Sequence, residues 1–240
     1  MFGGKIFIMK KIGIICASDE ELNPFLENIS ILKTIEKAML KFYVGTLNNV
    51  NVIAVYSGVC KVNAAIATQL LIEIFNIDII INAGVAGGID KNVKLFDTII
   101  VNKTAYHDVA EDILTEFHPW LQSIYFKANE NLISIAQKYS LKSKYPILFG
   151  TIVTGEKFII DSEREKINKK FNALAVDMET ASIAHVCYVN KVPFITIRTI
   201  TDNILNDGIE NFEKNCKFAS KICYDIVFDL IKEYNKMSII

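Results

Sequence analysis

Short apolar runs rich in β-branched residues alternate with longer amphipathic stretches along most of the chain, and this alternation restricts the fold more than any other feature. Several runs are apolar throughout, as expected of strands covered on both faces. Alternating strands and helices form a parallel or mixed sheet between helices. We therefore predict an α/β fold, a single three-layer domain with a mixed central sheet flanked by helices on both faces. The predicted strands span residues 11–17, 40–47, 50–57, 77–83, 97–104, 147–154, 173–177 and 193–201.

Helical patterns fill the intervals between these strands and continue to the C-terminus. In the last helix, Phe212, Cys216 and Ala219 recur at the spacing of one helix face, so we expect them to face the core. No segment rich in proline and glycine divides the chain, so residues 9–240 are predicted to form one domain. Residues 1–8 are interpreted as an extension or an alternative start. The predicted helices span residues 20–28, 61–75, 129–139, 162–171, 179–190 and 209–236.

Charge and cysteine content argue against several classes of protein. The formal net charge is -1, whereas a nucleic-acid-binding surface would normally bring a basic excess. No apolar run reaches the roughly 18 residues of a membrane span. The five cysteines form no CxxC pair and have no zinc-site spacing with histidine. We therefore expect reduced thiols in a cytoplasmic protein that has no metal, no cofactor, no nucleic-acid partner and no membrane partner.

Acidic residues and glycines follow the predicted strands, at the sheet edge where open α/β sheets bind ligands. Glu21 lies just after the first strand, and the 77–83 strand leads into a glycine-rich stretch at 84–88, which we interpret as a turn. The last strand carries Arg198 and ends at Asp202. We therefore expect several carboxylates and one arginine to lie together at this edge.

Each of these features also has a purely structural interpretation. Carboxylates at strand-to-helix junctions often cap helices, and we expect this of Ser18, Asp19 and Glu20. The glycine stretch matches neither the dinucleotide-binding fingerprint nor the P-loop. The coincidence of acids and an arginine at one edge nevertheless favours a site. Without metal-ligand spacing or a catalytic triad, paired carboxylates indicate general acid–base hydrolysis.

Eight motifs, in order and spacing, identify a family resemblance that covers nearly the whole chain from residue 11. The sequence resembles the 5′-methylthioadenosine/S-adenosylhomocysteine nucleosidases of the nucleoside phosphorylase superfamily. The resemblance implies hydrolysis of the N-glycosidic bond of both nucleosides, extended to 5′-deoxyadenosine, in methionine salvage and S-adenosylmethionine recycling. It also implies a homodimer. The motifs are KIGIICASDEEL (11–22), SGVCKVNAA (57–65), INAGVAGG (81–88), DTIIV (97–101), AYHD (105–108), TGEKFI (154–159), AVDMETASIAHV (175–186) and VPFITIRTITD (192–202).

The resemblance assigns the catalytic roles to two acids. Glu21 matches the carboxylate that activates the attacking water, and Asp202 matches the acid that protonates adenine N7. Arg198 matches the arginine that helps to hold the water and the carboxylates. Asp202 must carry a proton when it acts, so we expect burial or a shared hydrogen bond to favour its protonated form, whereas Glu21 must remain ionised.

The resemblance also assigns the residues that bind substrate. Met178 and Glu179 match the pair that binds the ribose, with Glu179 accepting from the sugar hydroxyls. Phe158 matches the aromatic residue that stacks on adenine, and Ile159 the residue whose backbone reads the adenine edge. Gly87 matches the glycine stretch that lines the ribose and base.

Three single positions depart from the family pattern. Val85 stands where relatives often have serine or threonine, so one hydroxyl near the site is missing. Cys60 replaces a common glycine, which would alter a turn. Asp177 replaces a frequent glutamate.

The largest departure from the family is the segment 109–126, within the stretch that has the weakest pattern for regular structure. Phe117, His118, Pro119 and Trp120 are candidates for the pocket of the 5′-substituent or for a dimer interface, and a packed surface loop is the alternative. His118, and His107 just before this segment, are also candidates to meet a ligand, whereas His185 in an apolar helix is interpreted as structural.

Three other functions stay open at this stage. An aminodeoxyfutalosine nucleosidase shares most of the motifs, and a purine nucleoside phosphorylase would use phosphate instead of water. Phosphate is disfavoured beside the acids of residues 18–22, because like charges repel. A nucleoside-binding protein without catalytic activity is the third alternative, and the joint presence of Glu21, Glu179, Arg198 and Asp202 argues against it.

Overall fold

The computed structural model describes residues 10–117, 121–206 and 208–238, and within them the chain forms ten strands and seven helices. The strands are β1 (Lys11–Cys16), β2 (Ser30–Lys37), β3 (Leu40–Leu47), β4 (Val50–Tyr56), β5 (Ile79–Gly88), β6 (Thr98–Tyr106), β7 (Phe126–Lys127), β8 (Ile147–Thr154), β9 (Ala175–Asp177) and β10 (Phe194–Asp202). The helices are α1 (Asp19–Leu26), α2 (Lys61–Phe75), α3 (Glu111–Glu116), α4 (Glu130–Ser140), α5 (Asp161–Phe171), α6 (Thr180–Asn190) and α7 (Ile209–Ser238).

All ten strands join one mixed sheet in the order β10-β6-β8-β9-β5-β1-β4-β3-β2, with β7 paired to β6. Strand β5 also pairs with β10, so β5, β10, β6, β8 and β9 close into a ring from which the other strands extend. Gly87 lies beside Val176 of β9 and beside Asp202 of β10. The predicted α/β class with a mixed central sheet is confirmed, and the ring is an additional feature.

Helices cover both faces of the sheet, which explains the runs that are apolar throughout. Along β1, Ile12 and Ile14 belong to a core cluster with residues of α1, α4 and α7. Ile15 belongs to a second cluster with residues of α2 and α6. Every residue of β10 is buried, including its polar residues. Helices therefore pack against both faces of the sheet.

The structure corrects the sequence analysis in three places. Strand β2 was not predicted, because as an exposed edge strand paired only with β3 it has no buried apolar face to reveal it. Residues 84–88 continue β5 rather than forming a turn, because pairing with β10 extends as far as Gly87. Residues 105–128, which have the weakest pattern for regular structure, include the end of β6, the short helix α3 and β7.

The described residues also bear on the expectations for membrane spans and for the cysteines. No helix in these ranges is long and apolar enough to cross a membrane. All five cysteines are free, and only Cys60 is not fully buried. The predicted extension at residues 1–8 lies outside the described part of the chain, as do His118, Pro119 and Trp120.

Candidate active site

A cavity of about 250 Å³ opens at the ends of β1, β5, β9 and β10 and at the segment that follows β8. Seven of the eight predicted site residues line it. Arg198 is the exception, because its fully buried guanidinium lies behind the cavity wall and contacts three carboxylates there. The sequence therefore identified a set of residues that the fold brings together. The seven lining residues are Glu21, Gly87, Phe158, Ile159, Met178, Glu179 and Asp202.

Glu21 is held as a carboxylate by donors on both of its oxygens. It belongs to a capping box at the start of α1, in which Ser18 Oγ accepts from the Glu21 amide. Glu21 Oε2 accepts from the amides of Ala17 at 2.6 Å and Ser18 at 3.1 Å, and Oε1 accepts from the Val85 amide at 2.8 Å. A carboxylate has about four acceptor positions, and these amides use three of them. The longest contact is the 3.4 Å one from Arg198 Nη1 to Oε1.

Arg198 connects Glu21 with two further acids. Its Nε donates to Asp177 Oδ2 at 3.0 Å, and its Nη2 donates to Glu179 Oε2 at 3.2 Å. One guanidinium thus faces three carboxylates, all buried. Burial, together with Asp177 and Glu21 nearby, raises the pKa of Glu179 to about 8, although Arg198 opposes the shift. Glu179 is therefore largely protonated at neutral pH in the empty site.

Gly84 leaves the space in which the side chains of Glu21 and Arg198 come into contact. A Cβ atom on Gly84 would overlap Glu21 Oε1 and Arg198 Nη1. Val85 follows, and its side chain packs against Cys216 and Ala219 of α7 while its amide binds Glu21. The missing hydroxyl at position 85 is thus replaced by an apolar contact with α7, which confirms that Cys216 and Ala219 face the core.

Glu179 receives its second hydrogen bond from a strained residue. The amide of Cys60, directly before α2, donates to Glu179 Oε1 at 3.0 Å. Cys60 has φ 82° and ψ 164°, a region that residues other than glycine rarely occupy. The substitution of the family's glycine by Cys60 therefore keeps the turn and strains it.

Asp202 lies in a different environment from Glu21. It is almost fully buried, and its Oδ1 accepts from the Thr201 hydroxyl at 2.8 Å. Its Oδ2 accepts from Arg164 Nη2 at 2.5 Å. Burial or a shared hydrogen bond was expected at Asp202, and both are present, whereas the contact with a guanidinium was not expected. Glu21 and Asp202 therefore line one cavity, each in contact with its own arginine.

The sequence analysis did not identify Arg164, although a signal was present. The chain has 26 lysines and arginines, of which only Arg164 and Arg198 are arginines. Both are fully buried, and both bind a carboxylate that lines the cavity. All the other residues among these 26 are lysines, so both arginines of the chain lie behind one cavity. Arg164 was overlooked because it lies in a polar helix without an apolar pattern.

Aromatic and apolar residues line the rest of the cavity. Phe158 and Phe212 lie edge to face with 6.0 Å between ring centroids. Phe212 was predicted only as a core residue, so its contribution to the cavity was overlooked. Ile159 is buried beside them. A flat apolar ligand would therefore fit this end, opposite the ionised groups.

Several other candidate residues lie elsewhere. The His107 ring fills the space that a side chain on Gly155 would need, and His107 is not among the cavity-lining residues. His185 stacks on Phe126 at 4.8 Å and contacts the Tyr106 hydroxyl at 3.3 Å, in keeping with a structural role. Phe117 is exposed and does not line the cavity either.

Comparison with known proteins gives consistent matches over most of the chain. Residues 11–232 match the Phosphorylase superfamily. A relative from Buchnera aphidicola subsp. Schizaphis graminum, named 5′-methylthioadenosine/S-adenosylhomocysteine nucleosidase, is 37% identical over 95% of this chain and 99% of its own length.

Solved structures agree with these sequence matches. The Helicobacter pylori 5′-methylthioadenosine/S-adenosylhomocysteine nucleosidase, complexed with a pyrrolidin-3-ol that carries an aminopyrrolopyrimidine and an alkynylthio group, superimposes with a TM-score of 0.87 at 27% identity. That match covers 94% of this chain and 99% of the other. The futalosine hydrolase of Helicobacter pylori superimposes with a TM-score of 0.85 at 28% identity, over 94% and 98% of the two chains.

Proposed function

The chain belongs to the phosphorylase superfamily and, within it, to the 5′-methylthioadenosine/S-adenosylhomocysteine nucleosidases, and from this premise we propose that it hydrolyses the N-glycosidic bond of those two nucleosides. The products are adenine and the 5′-substituted ribose. The observation that carries the proposal is that Glu21 and Asp202 line one cavity in different surroundings. Glu21 accepts from three backbone amides and, at 3.4 Å, from Arg198, whereas Asp202 accepts from a hydroxyl and from Arg164.

Asp202 is the general acid in this proposal. Adenine is a poor leaving group as an anion, so protonation of N7 lets it depart neutral. The pair of electrons of the bond between the sugar and N9 moves onto the base, and positive charge develops on the sugar. The carboxylates of Glu21 and Glu179, which line the same cavity, stabilise that charge.

Glu21 is the general base. Of its four contacts, the one with Arg198 is the longest, so the Oε1 lone pair on that side is the most available to a water. That water adds to the sugar carbon and passes a proton to Glu21. Arg198 helps to hold both groups from behind the cavity wall.

The remaining residues bind and orient the substrate. Glu179 accepts from the ribose hydroxyls, and Met178 packs beside it. Phe158 stacks on adenine, the backbone of Ile159 reads its edge, and Gly87 provides close approach to the base. The presence of all five in one cavity supports these roles.

Water is preferred over phosphate as the nucleophile. Glu21, Asp177 and Glu179 surround a single guanidinium at the end of the cavity where the nucleophile would enter. With substrate bound and Glu179 ionised, a phosphate dianion would be repelled by this excess of negative charge. We therefore expect adenine release that does not depend on phosphate and that leaves a free reducing sugar.

Activity towards futalosine-type nucleosides is the second candidate, because the Helicobacter pylori futalosine hydrolase superimposes almost as well as the nucleosidase. A substrate panel separates the two functions: methylthioadenosine, S-adenosylhomocysteine, 5′-deoxyadenosine, adenosine, inosine and aminodeoxyfutalosine, each with and without phosphate. Fast adenine release from the first two, and from 5′-deoxyadenosine, supports the proposal and a role in methionine salvage. Preference for aminodeoxyfutalosine would overturn it.

We further propose that the enzyme is a cytoplasmic homodimer. The half-buried and buried free thiols fit a reducing compartment. Val59, which lines the cavity, is exposed, and so are Val62 and Ile66 of α2 and Tyr188 of α6. Exposed apolar residues grouped in this way are typical of an interface. A partner seated on them would adjoin the cavity.

A further inference from the structure

The ion pair between Arg164 and Asp202 is built into the fold rather than formed at the surface. Both side chains are about 1% exposed, and Arg164 Nη1 also donates to the Gly88 carbonyl at 2.7 Å. Arg164 does not line the cavity, whereas Asp202 does. A Cβ atom on Gly87 would come within 3.1 Å of Asp202 Oδ2 and 3.3 Å of Arg164 Nη1. The backbone thus leaves just enough room for this pair beside the cavity.

Two acceptors on neighbouring strands hold the guanidinium of Arg164 in a defined orientation. One nitrogen donates to a carbonyl of β5, and the other to the carboxylate of Asp202 at the end of β10. A planar guanidinium can serve both at once, whereas a lysine ammonium is a single point of charge on a flexible stem. In a chain with only two arginines, this requirement explains why lysine does not stand at position 164.

The contacts of Asp202 assign different roles to its two oxygens. Arg164 occupies Oδ2, and the Thr201 hydroxyl donates to Oδ1. The Thr201 hydroxyl also lies 3.4 Å from the carbonyl of Ala86, so it can turn to that acceptor when Oδ1 carries a proton. Oδ1 is therefore the oxygen that can hold the proton without displacing the arginine.

Arg164 is the charged side chain in direct contact with Asp202 among the described residues. The other ionisable side chains that line the cavity are Glu21, Asp177, Glu179 and Lys157. The first three share Arg198, and Lys157 pairs with Glu163 at 2.7 Å. Among the described residues, Asp202 is thus paired with Arg164, whereas the other three acids share Arg198.

We propose that Arg164 is a positioning residue that holds Asp202 Oδ2 and confines the transferable proton to Oδ1. This inference rests on the proposed function. In the step concerned, the O–H bond at Oδ1 breaks as the N–H bond at N7 forms, and the sugar–N9 electron pair moves onto adenine. The carboxylate left behind is stabilised by Arg164, which favours proton transfer to the base.

The test compares Arg164→Met and Arg164→Lys with Lys166→Met, a matched charge removal at an exposed position of the same helix. Initial rates of adenine release from methylthioadenosine are measured over a range of substrate concentrations. In Arg164→Met, kcat falls by about 100-fold because the acid is misplaced, whereas KM stays near its wild-type value because the groups that bind the substrate are unchanged. Arg164→Lys loses part of kcat with KM unchanged, and Lys166→Met changes neither quantity.

A purely structural role would lower the melting temperature without lowering the kcat of the folded enzyme. A near-normal kcat in Arg164→Met, or a KM that rises as much as kcat falls, would overturn the proposal. If Arg164→Met does not fold, Arg164→Lys decides: a wild-type kcat in that variant would overturn it, and a reduced kcat supports it. A wild-type enzyme that releases no adenine from any nucleoside would instead contradict the proposed function. If the wild type is active and the Arg164 variants have the same kinetics as the wild type, only this inference is contradicted.

Discussion

The amide of Cys60 donates a 3.0 Å hydrogen bond to Glu179 Oε1 from a backbone conformation that normally requires glycine. The strain is located where the chain turns into α2, directly beside the proposed ribose site. A conformation of this kind persists only where surrounding contacts enforce it. The hydrogen bond to a buried carboxylate is such a contact, so the strain and the site are linked.

Replacing Cys60 by glycine should therefore stabilise the protein. Relief of the strained conformation contributes about 1–3 kcal/mol. The greater freedom of glycine in the unfolded chain cancels up to about 1 kcal/mol of that gain. We expect a higher urea midpoint in Cys60→Gly with activity retained, because the amide that binds Glu179 is still present.

Cys60→Ala is the matched control, since it removes the thiol and keeps the strained φ. It should gain no stability. Equal stabilisation in both variants would show that the thiol, rather than the backbone conformation, is unfavourable in the native protein.

Binding of an adenine nucleoside should release a proton from Glu179. In the empty enzyme burial raises the pKa of Glu179 to about 8, so this group is largely protonated at pH 7. Sugar hydroxyls that donate to Glu179 favour its ionised form and lower that pKa in the complex. Affinity should consequently rise as the pH increases from about 6 to 8, up to tenfold per unit for one proton released.

Calorimetric titration with formycin A, an adenine nucleoside analogue whose base–sugar link is a carbon–carbon bond, measures this proton. The apparent enthalpy at pH 7 should depend on the ionisation enthalpy of the buffer in the wild type and much less in Glu179→Gln. Identical enthalpies in all buffers for the wild type would argue against the assigned role of Glu179.

A charge on the exposed face of α2 should disrupt the proposed dimer. Val62 is 68% exposed in the single chain, so Val62→Asp costs little within one subunit. At an apolar interface the same aspartate would be desolvated without a partner. Light scattering should show a dimer for the wild type and a monomer for Val62→Asp.

A matched charge on the opposite side of the molecule provides the control. Leu141, which follows α4, is also exposed, and Leu141→Asp should leave the mass unchanged. A wild type that scatters as a monomer at working concentration would contradict the dimer.

Runs that are apolar on both faces were predictable from the sequence, because burial on both sides of a sheet leaves a continuous apolar pattern. β1 is a clear example, since its residues from Ile12 to Cys16 are all buried. β2 was not predictable in this way, because its residues are mostly exposed and leave no continuous apolar pattern. Its hydrogen bonds to β3 hold it in the sheet. The predicted turn at 84–88 was wrong for a related reason: the strand continues because a neighbour pairs with it.

The residues of the candidate site also divide into those that the sequence could predict and those that it could not. Residues at strand ends, such as Glu21 and Asp202, could be predicted because the topology of an α/β sheet brings such ends together. Arg164 could not be found by that rule, because it reaches the cavity wall from the interior of α5. Its partner became visible only when the fold placed α5 beside Gly87 and Gly88.

The most direct test of the proposed mechanism is adenine release from methylthioadenosine in phosphate-free buffer by Glu21→Gln and Asp202→Asn. Asp19→Asn and Glu20→Gln, exposed neighbours in the same helix as Glu21, are the controls. We expect the wild type and both controls to release adenine at similar rates, and each active-site variant to be slower by about 100-fold or more. Glu21→Gln should still bind formycin A. Near-normal turnover by Asp202→Asn, or a wild type that requires phosphate, would contradict two acids acting on one glycosidic bond.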